Sequence, residues 1–294
     1  REGHFDGVGV WAVGGQEQIW GANGQLRQLV AAGALRSAIF WGPPGCGKTN
    51  WILNNLKSHK GCCGFLRLSG YGDIDLQQVA STDIDYAFLK DQIPQLIDLS
   101  RSSADSISHQ DDSLILIELP QFRIPKELGL AGIDPRVIKQ LATLNLEPDK
   151  YLHFGRDREL PINDTLNFNQ IESCRFKLHR NVWDPPSLNT FWFELVNGAY
   201  GDVYRAKALM NIPDGRSMFF NWIVSQKGSQ FLPLNTVSPP SGRPTRISEL
   251  VVQGKNLDSV RIESTIQLCL LNDSVLELHQ APLRDTQMQP SYST

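Results

Sequence analysis

The sequence predicts an α/β protein in which a doubly wound parallel sheet is followed by a smaller α+β domain. Three observations lead there. Ala38-Ile39-Phe40-Trp41 is a short apolar run that enters a Gly/Pro-rich turn, and Trp51, Ile52, Leu53 and Leu56 then repeat with helical spacing. Three further apolar runs recur at separations long enough to hold crossover helices. Beyond Trp183 the pattern becomes a helix, a hairpin and a late strand-helix pair.

Taken in order, the first strand ends where Gly42 opens the turn, and the helix that resumes at Thr49 closes near Lys57 and Gly61. Phe65-Leu66-Arg67-Leu68, Leu114-Ile115-Leu116-Ile117 and Tyr151-Leu152-His153-Phe154 are the next strand candidates. Trp183-Asp184-Pro185-Pro186 reads as a boundary, because consecutive prolines remove donors and stiffen the chain between packed units. Leu188, Trp192 and Leu195 then share one helical face, and Val203 to Met210 and Ser217 to Val224 flank the turn Pro213-Asp214-Gly215. After Ser238-Pro239-Pro240-Ser241-Gly242 comes Leu250-Val251-Val252, followed by a helix N-capped by Asp258 with Ile262, Ile266, Cys269 and Leu270 on one face. From about Gln280 the composition turns polar without periodicity, as in a loose tail. The expected organisation is an extension over 1–36, a sheet domain over 37–183, a second domain over 187–279 and a tail over 280–294.

At 294 residues the chain has room for two ordinary domains. Hydrophobic residues at 41% and charged residues at 20% describe a globular protein, and no apolar run nears the roughly 18 residues needed to span a bilayer. A net charge of −3 gives no general attraction to nucleic-acid backbones. Five cysteines, an odd number without framework spacing, make a reducing cytoplasm the expected compartment.

The turn itself is Gly42-Pro43-Pro44-Gly45-Cys46-Gly47-Lys48-Thr49. A phosphate chain needs several backbone N–H groups converging on it, and glycines allow the dihedrals and close approach that form such a nest. Lys48 is expected to reach the β- and γ-phosphates, Thr49 to ligate Mg²⁺ through its hydroxyl, and the following helix to present its positive end. The expected ligand is a nucleoside triphosphate, which makes the first domain a P-loop NTPase. Cys46 fills a freely variable position. Glu118 closes the Leu114–Ile117 run, where a carboxylate orients water or holds the metal's outer shell, or else stands exposed at a strand end.

Cys62, Cys63 and the nearby His59 read as incidental thiols or a zinc site, with adjacent cysteines poorly placed for two tetrahedral positions. Arg205 and Lys207 fall on one face of a strand, as an anion or partner contact or as a solvated basic face on an edge strand. Trp192, Phe193, Phe219, Phe220 and Trp222 line either a core or a partner groove.

Tyr204-Arg205-Ala206-Lys207-Ala208-Leu209-Met210 before a hairpin, and Leu250-Val251-Val252-Gln253-Gly254-Lys255-Asn256-Leu257-Asp258, resemble the second domain of the CobW family of GTP-binding, metallochaperone-like proteins. Ile117-Glu118 is similar to that family's Ile-Glu beside the γ-phosphate, and Ile74-Asp75 to the end of its first switch. The resemblance spans roughly Ile39 to Leu271. It implies GTP rather than ATP, Mg²⁺ held by Thr49 and Asp75, slow hydrolysis, and a client metalloprotein as partner. The family's Asn-Glu-Phe-Gly switch would fall on Arg67-Leu68-Ser69-Gly70, its Cys-x-Cys-Cys metal site is missing, and its guanine-reading Asn-Lys-x-Asp aligns with Phe154-Gly155-Arg156-Asp157, where Asp157 alone matches. A catalytically silent nucleotide-binding regulator is the alternative these departures allow.

A shorter stretch resembles the entrance of an AAA+ ATPase of the RarA recombination-factor type. It comprises Gly15-Gln16-Glu17, Leu26-Arg27 and Ser37-Ala38-Ile39-Phe40-Trp41-Gly42-Pro43-Pro44-Gly45. That resemblance implies ATP and DNA.

Overall fold

The computed structural model describes residues 36–42, 46–67, 84–99, 112–120, 141–142, 148–154, 172–224 and 228–288. Two sheets organise them. The first is parallel, with strand order β3-β2-β4-β1-β5, built from β1 (Ser37–Gly42), β2 (Cys62–Arg67), β3 (Ile97–Asp98), β4 (Ser113–Pro120) and β5 (Lys150–His153). The chain steps outward from β1 to β2 and β3, returns to insert β4 beside β1, and crosses to β5 on the other side. In open α/β sheets such a reversal leaves a crevice beyond the carboxyl ends of the strands, where ligands bind.

Alternation along the strands sorts the core into two layers. Ala38, Phe40, Leu114 and Leu116 pack under Trp51, Ile52 and Leu56 of helix α1 (Lys48–Ser58) and Leu89 of helix α2 (Ile84–Gln92). Ile39, Trp41, Ile115, Ile117 and Leu119 fill the opposite face with Leu66, Leu99 and Leu141. The α/β class expected from the apolar runs is the class observed.

The second sheet is antiparallel, in the order β6-β10-β7-β8-β9. Its strands are β6 (Glu172–Lys177), β7 (Asp202–Asn211), β8 (Ser217–Ile223), β9 (Gln230–Pro233) and β10 (Glu249–Lys255). One face carries Ala206, Ala208, Met210, Phe220, Leu250 and Val252, buried beneath helices α3 (Pro185–Val196) and α4 (Ser259–Cys269). Here the aromatic residues are core: Trp192 and Phe220 meet at 4.8 Å, though Phe193 on the far side of α3 is exposed.

Two sequence expectations change. Strand β6 pairs with β10, so the second sheet starts ahead of the boundary expected at Trp183. Pro185 and Pro186 begin α3 instead of linking domains: they occupy its first turn, where a missing N–H costs nothing, and Asp184 caps it by accepting from the Ser187 N–H at 3.1 Å. Trp183 itself is fully buried and its backbone N–H donates to the Asn211 carbonyl. The loose tail expected from Gln280 is also corrected. Helix α5 (Asp273–Met288) takes in its described part, 280–288, and the Gln280 amide is buried, accepting from the Gly242 N–H at 2.7 Å and donating to the Gly242 and Pro213 carbonyls. A polar side chain that satisfies buried backbone leaves no hydrophobic period to read.

The two sheets meet through α2. Ile84 and Phe88 pack against Leu209, Phe219 and Leu234, and the Phe88 and Phe219 rings stack at 4.4 Å. Among the described residues no helix is long and apolar enough to cross a membrane.

Candidate functional site

The turn between β1 and α1 lies at the carboxyl edge of the parallel sheet, as its sequence predicts. Gly42 and Gly47 are required there for different reasons. A Cβ on Gly42 would sit 2.6 Å from the Phe154 Cβ, so the close approach of β1 to the chain after β5 excludes any side chain. Gly47, the N-cap of α1, has φ of 87°, a left-handed conformation that other residues adopt only with strain. Pro43, Pro44 and Gly45 lie outside the described residues, as do Asp157, Asp75 with Ile74, the Leu68-Ser69-Gly70 switch and residues 1–35 of the AAA+-like stretch.

Lys48 opens α1 and is buried, folded back across the base of the turn so that its Nζ donates to the Gly42 carbonyl at 2.8 Å and to the Cys46 Sγ at 3.5 Å. The lysine ammonium is therefore held against Gly42 and Cys46 at the N-terminal end of α1, where the helix dipole is positive. Cys46 is buried in the core and also takes this contact, so it is less incidental than its variable position suggests.

Thr49, one residue on, makes contacts that sequence reasoning did not foresee. Its hydroxyl donates to Asp85 Oδ1 at 2.9 Å. It also accepts from the Lys207 ammonium at 3.1 Å, and Lys207 lies in hydrogen-bond contact with the same Asp85 oxygen. Arg67, at the end of β2, donates to the other Asp85 oxygen at 3.0 Å and lies 4.0 Å from Glu118. One connected set thus joins the first turn of α1, the first turn of α2, the end of β2 and the middle of β7.

The electrostatics follow from burial. Burial alone would raise the Asp85 carboxyl, yet the Lys207 ammonium and the Arg67 and Arg205 guanidinium groups outweigh it and hold the group well below the usual carboxylate range. For Lys207 the balance runs the other way: burial lowers the ammonium from its ordinary value, aided by Arg205 and opposed by Asp85 and Glu118. Three cations, Arg67, Arg205 and Lys207, therefore act on two carboxylates, with Lys48 close by on α1. Excess positive charge at a helix N-terminus favours an anion there.

Glu118 is not an exposed strand-end residue. Strand β4 continues to Pro120, and Glu118 is buried on the α1 side of the sheet, paired in register with Phe40 on one flank and Arg67 on the other. Its Oε2 faces the Arg67 guanidinium at 4.0 Å, an ion pair too long to be a hydrogen bond, and accepts no hydrogen bond among the described residues. A buried carboxylate oxygen without a hydrogen-bond donor is a place where water or a ligand can complete the site.

No family model matches the chain. Among solved structures the chain is similar to the Zn(II)-bound YjiA GTPase from E. coli, with a TM-score of 0.29 and 11% identity, over 80% of this chain and 98% of that one. It is similar to the same degree to a Zn(II)-bound triple mutant of that GTPase, over 80% of this chain and 99% of the other. Likeness at that level assigns neither residues nor ligand.

Arg205 and Lys207 share a face of β7 as their spacing predicts, but β7 is the central strand of its sheet and Lys207 is buried against α2. The solvated edge is thereby replaced by an internal contact. Cys62 and Cys63 are neighbours on β2, so their side chains leave opposite faces: Cys63 joins the core under α1 and Cys62 packs against the other layer. That geometry prevents the pair from gripping one ion. Burial, then the neighbouring Cys62 and Asp112 charges, push the Cys63 thiol up to about 11. His59 Nε2 stands 3.5 Å from Asp112 Oδ1.

Asp85 and Arg67 were missed as site residues. A signal existed for the first. Ile84, Asp85, Phe88 and Leu89 form the buried stripe of α2, and an aspartate inside an apolar i, i+4 stripe must have a charged partner.

Proposed function

We propose that the segment Gly42–Thr49 binds a nucleoside triphosphate with Mg²⁺ and that the protein hydrolyses it slowly. The observation that carries this is the seat of Lys48: a buried ammonium closing on Gly42 O at the start of α1, at the carboxyl edge of a parallel sheet. An ammonium held at this point of the turn is placed to meet a phosphate chain wrapped by it. The excess positive charge around Asp85 and Glu118 supports the same ligand.

The donor set fits a divalent cation. Thr49 and Asp85 present oxygen ligands suited to Mg²⁺, and the Lys207 ammonium already stands as a cation against both. When bound, Mg²⁺ would neutralise charge on the phosphates. Thr49 would hold it, with Asp75 as the further ligand implied by the CobW resemblance. Glu118, whose Oε2 accepts no hydrogen bond among the described residues and lies beside the end of β1, would orient the attacking water. The preference for GTP over ATP, with Asp157 reading the base, and a client metalloprotein engaging the second domain extend this reading from the same resemblance.

Turnover tests it. With magnesium and either GTP or ATP, wild type should release phosphate with GTP favoured, and Glu118→Gln should keep nucleotide affinity while losing about 10²-fold in rate. Equal turnover in wild type and Glu118→Gln would remove Glu118 from the chemistry. Binding without any wild-type turnover would overturn hydrolysis and leave a nucleotide-binding regulator.

A further inference from the structure

The β7 strand belongs to the second sheet, yet its Lys207 reaches into the first unit and ends at the hydroxyl of Thr49. We propose that Lys207 is a tethered competitor of the divalent cation, occupying the Thr49–Asp85 oxygen pair when no nucleotide is bound and withdrawing when Mg²⁺-nucleotide arrives. The inference rests on the nucleotide-binding reading above and adds a regulator to that same site.

Three observations support it. The Lys207 ammonium contacts the two oxygens that a cation at Thr49 would need, so the two positive charges exclude each other from one small space. Asp85 is not left unpaired if Lys207 withdraws, because Arg67 holds its second oxygen at 3.0 Å. Lys207 is also fixed from its own side. Its Nζ lies 5.4 Å from the centroid of the Phe219 ring, and that ring stacks on Phe88 of α2. Moving Lys207 therefore disturbs the contact through which the two sheets meet, and nucleotide state is felt at the second sheet.

Lys207→Met keeps the length and apolar stem of the side chain but removes its charge. With a fluorescent nucleotide whose affinity is followed as magnesium is varied, Lys207→Met should reach half-saturation at about tenfold lower magnesium than wild type, within the usual range of coupling between two sites. Lys207→Arg, which retains the charge, should stay close to the wild-type demand. In hydrogen exchange on wild type, adding magnesium nucleotide should loosen the amides of β7, β8 and α2, and this change should vanish in Lys207→Met. A magnesium demand identical in wild type and Lys207→Met, both folded by circular dichroism, overturns the competitor role while nucleotide binding stands. Failure of both proteins to bind any nucleotide removes the underlying reading and the inference with it. If Lys207→Met does not fold, wild-type exchange decides alone: unchanged protection of β7, β8 and α2 on adding magnesium nucleotide refutes the proposal.

Discussion

The contact between the two sheets turns on a pair of stacked rings, and its strength can be worked out. Phe88 on α2 and Phe219 on β8 are both buried, 4.4 Å apart at 20° between planes, among Ile84, Leu209 and Leu234. Truncating Phe219 to alanine removes one ring from a filled cluster and should cost about 3–5 kcal/mol, a large share of the roughly 5–15 kcal/mol that holds a domain folded. Of that, ring stacking accounts for about 0.5–1.5 kcal/mol. The stacking part is lost in full when either ring goes, so a cycle with Phe88→Ala should show the double variant less destabilised than the sum of the singles by about that amount. Urea denaturation followed by far-ultraviolet circular dichroism and tryptophan fluorescence would measure it. Should the single variants be too unstable, Phe→Leu at both positions gives the same cycle at smaller amplitude. Additivity to within about 0.3 kcal/mol would mean that the rings do not act on each other, and would refute the interface described here.

Two further outcomes follow from the same structure. Gln280→Ala leaves the buried Pro213 carbonyl and the Gly242 N–H without their partner and should cost about 1–3 kcal/mol in thermal or urea denaturation; a loss below about 0.5 kcal/mol would return this region to the loose tail that composition suggests. Cys63, fully buried with its thiol pushed up to about 11, should resist iodoacetamide in the native protein at pH 8, whereas half-buried Cys62 should react; because the thiolate is the nucleophile, Cys63 labelling should still be rising with pH above 10, and mass spectrometry showing equal labelling of the two at pH 8 would contradict its placement.

Much of the fold was legible because its elements are locally self-consistent. The β1 run, the Gly42-to-Thr49 turn and α1 announce themselves by period and by turn chemistry, and the Asp214-Gly215 hairpin and the Asp258 cap do the same in the second sheet. The errors came where a polar or rigid residue serves packing. Pro185 and Pro186 look like a linker but start a helix, and Gln280 looks like tail but satisfies buried backbone. Lys48 and Thr49 stand out in the sequence because the turn motif fixes their spacing, and Glu118 because it follows the Leu114–Ile117 run. Asp85 carried a signal in the apolar stripe of α2, but its partner Arg67 did not, since the two come together only through the parallel pairing of β2 with β4 and the docking of α2. Lys207 could be placed on a face from its alternation with Arg205. Which face that was, and that it meets Thr49 far away along the chain, depends on a long-range contact that no local pattern encodes.

Nucleotide binding and hydrolysis both require that the turn before α1 wrap a polyphosphate. Isothermal titration of the folded protein with GTP and with ATP at millimolar magnesium reads that contact. Saturable binding of one nucleotide per chain, weakened at least about tenfold in Lys48→Ala, is the predicted result. No heat with either nucleotide, or equal affinity in wild type and Lys48→Ala, would contradict it.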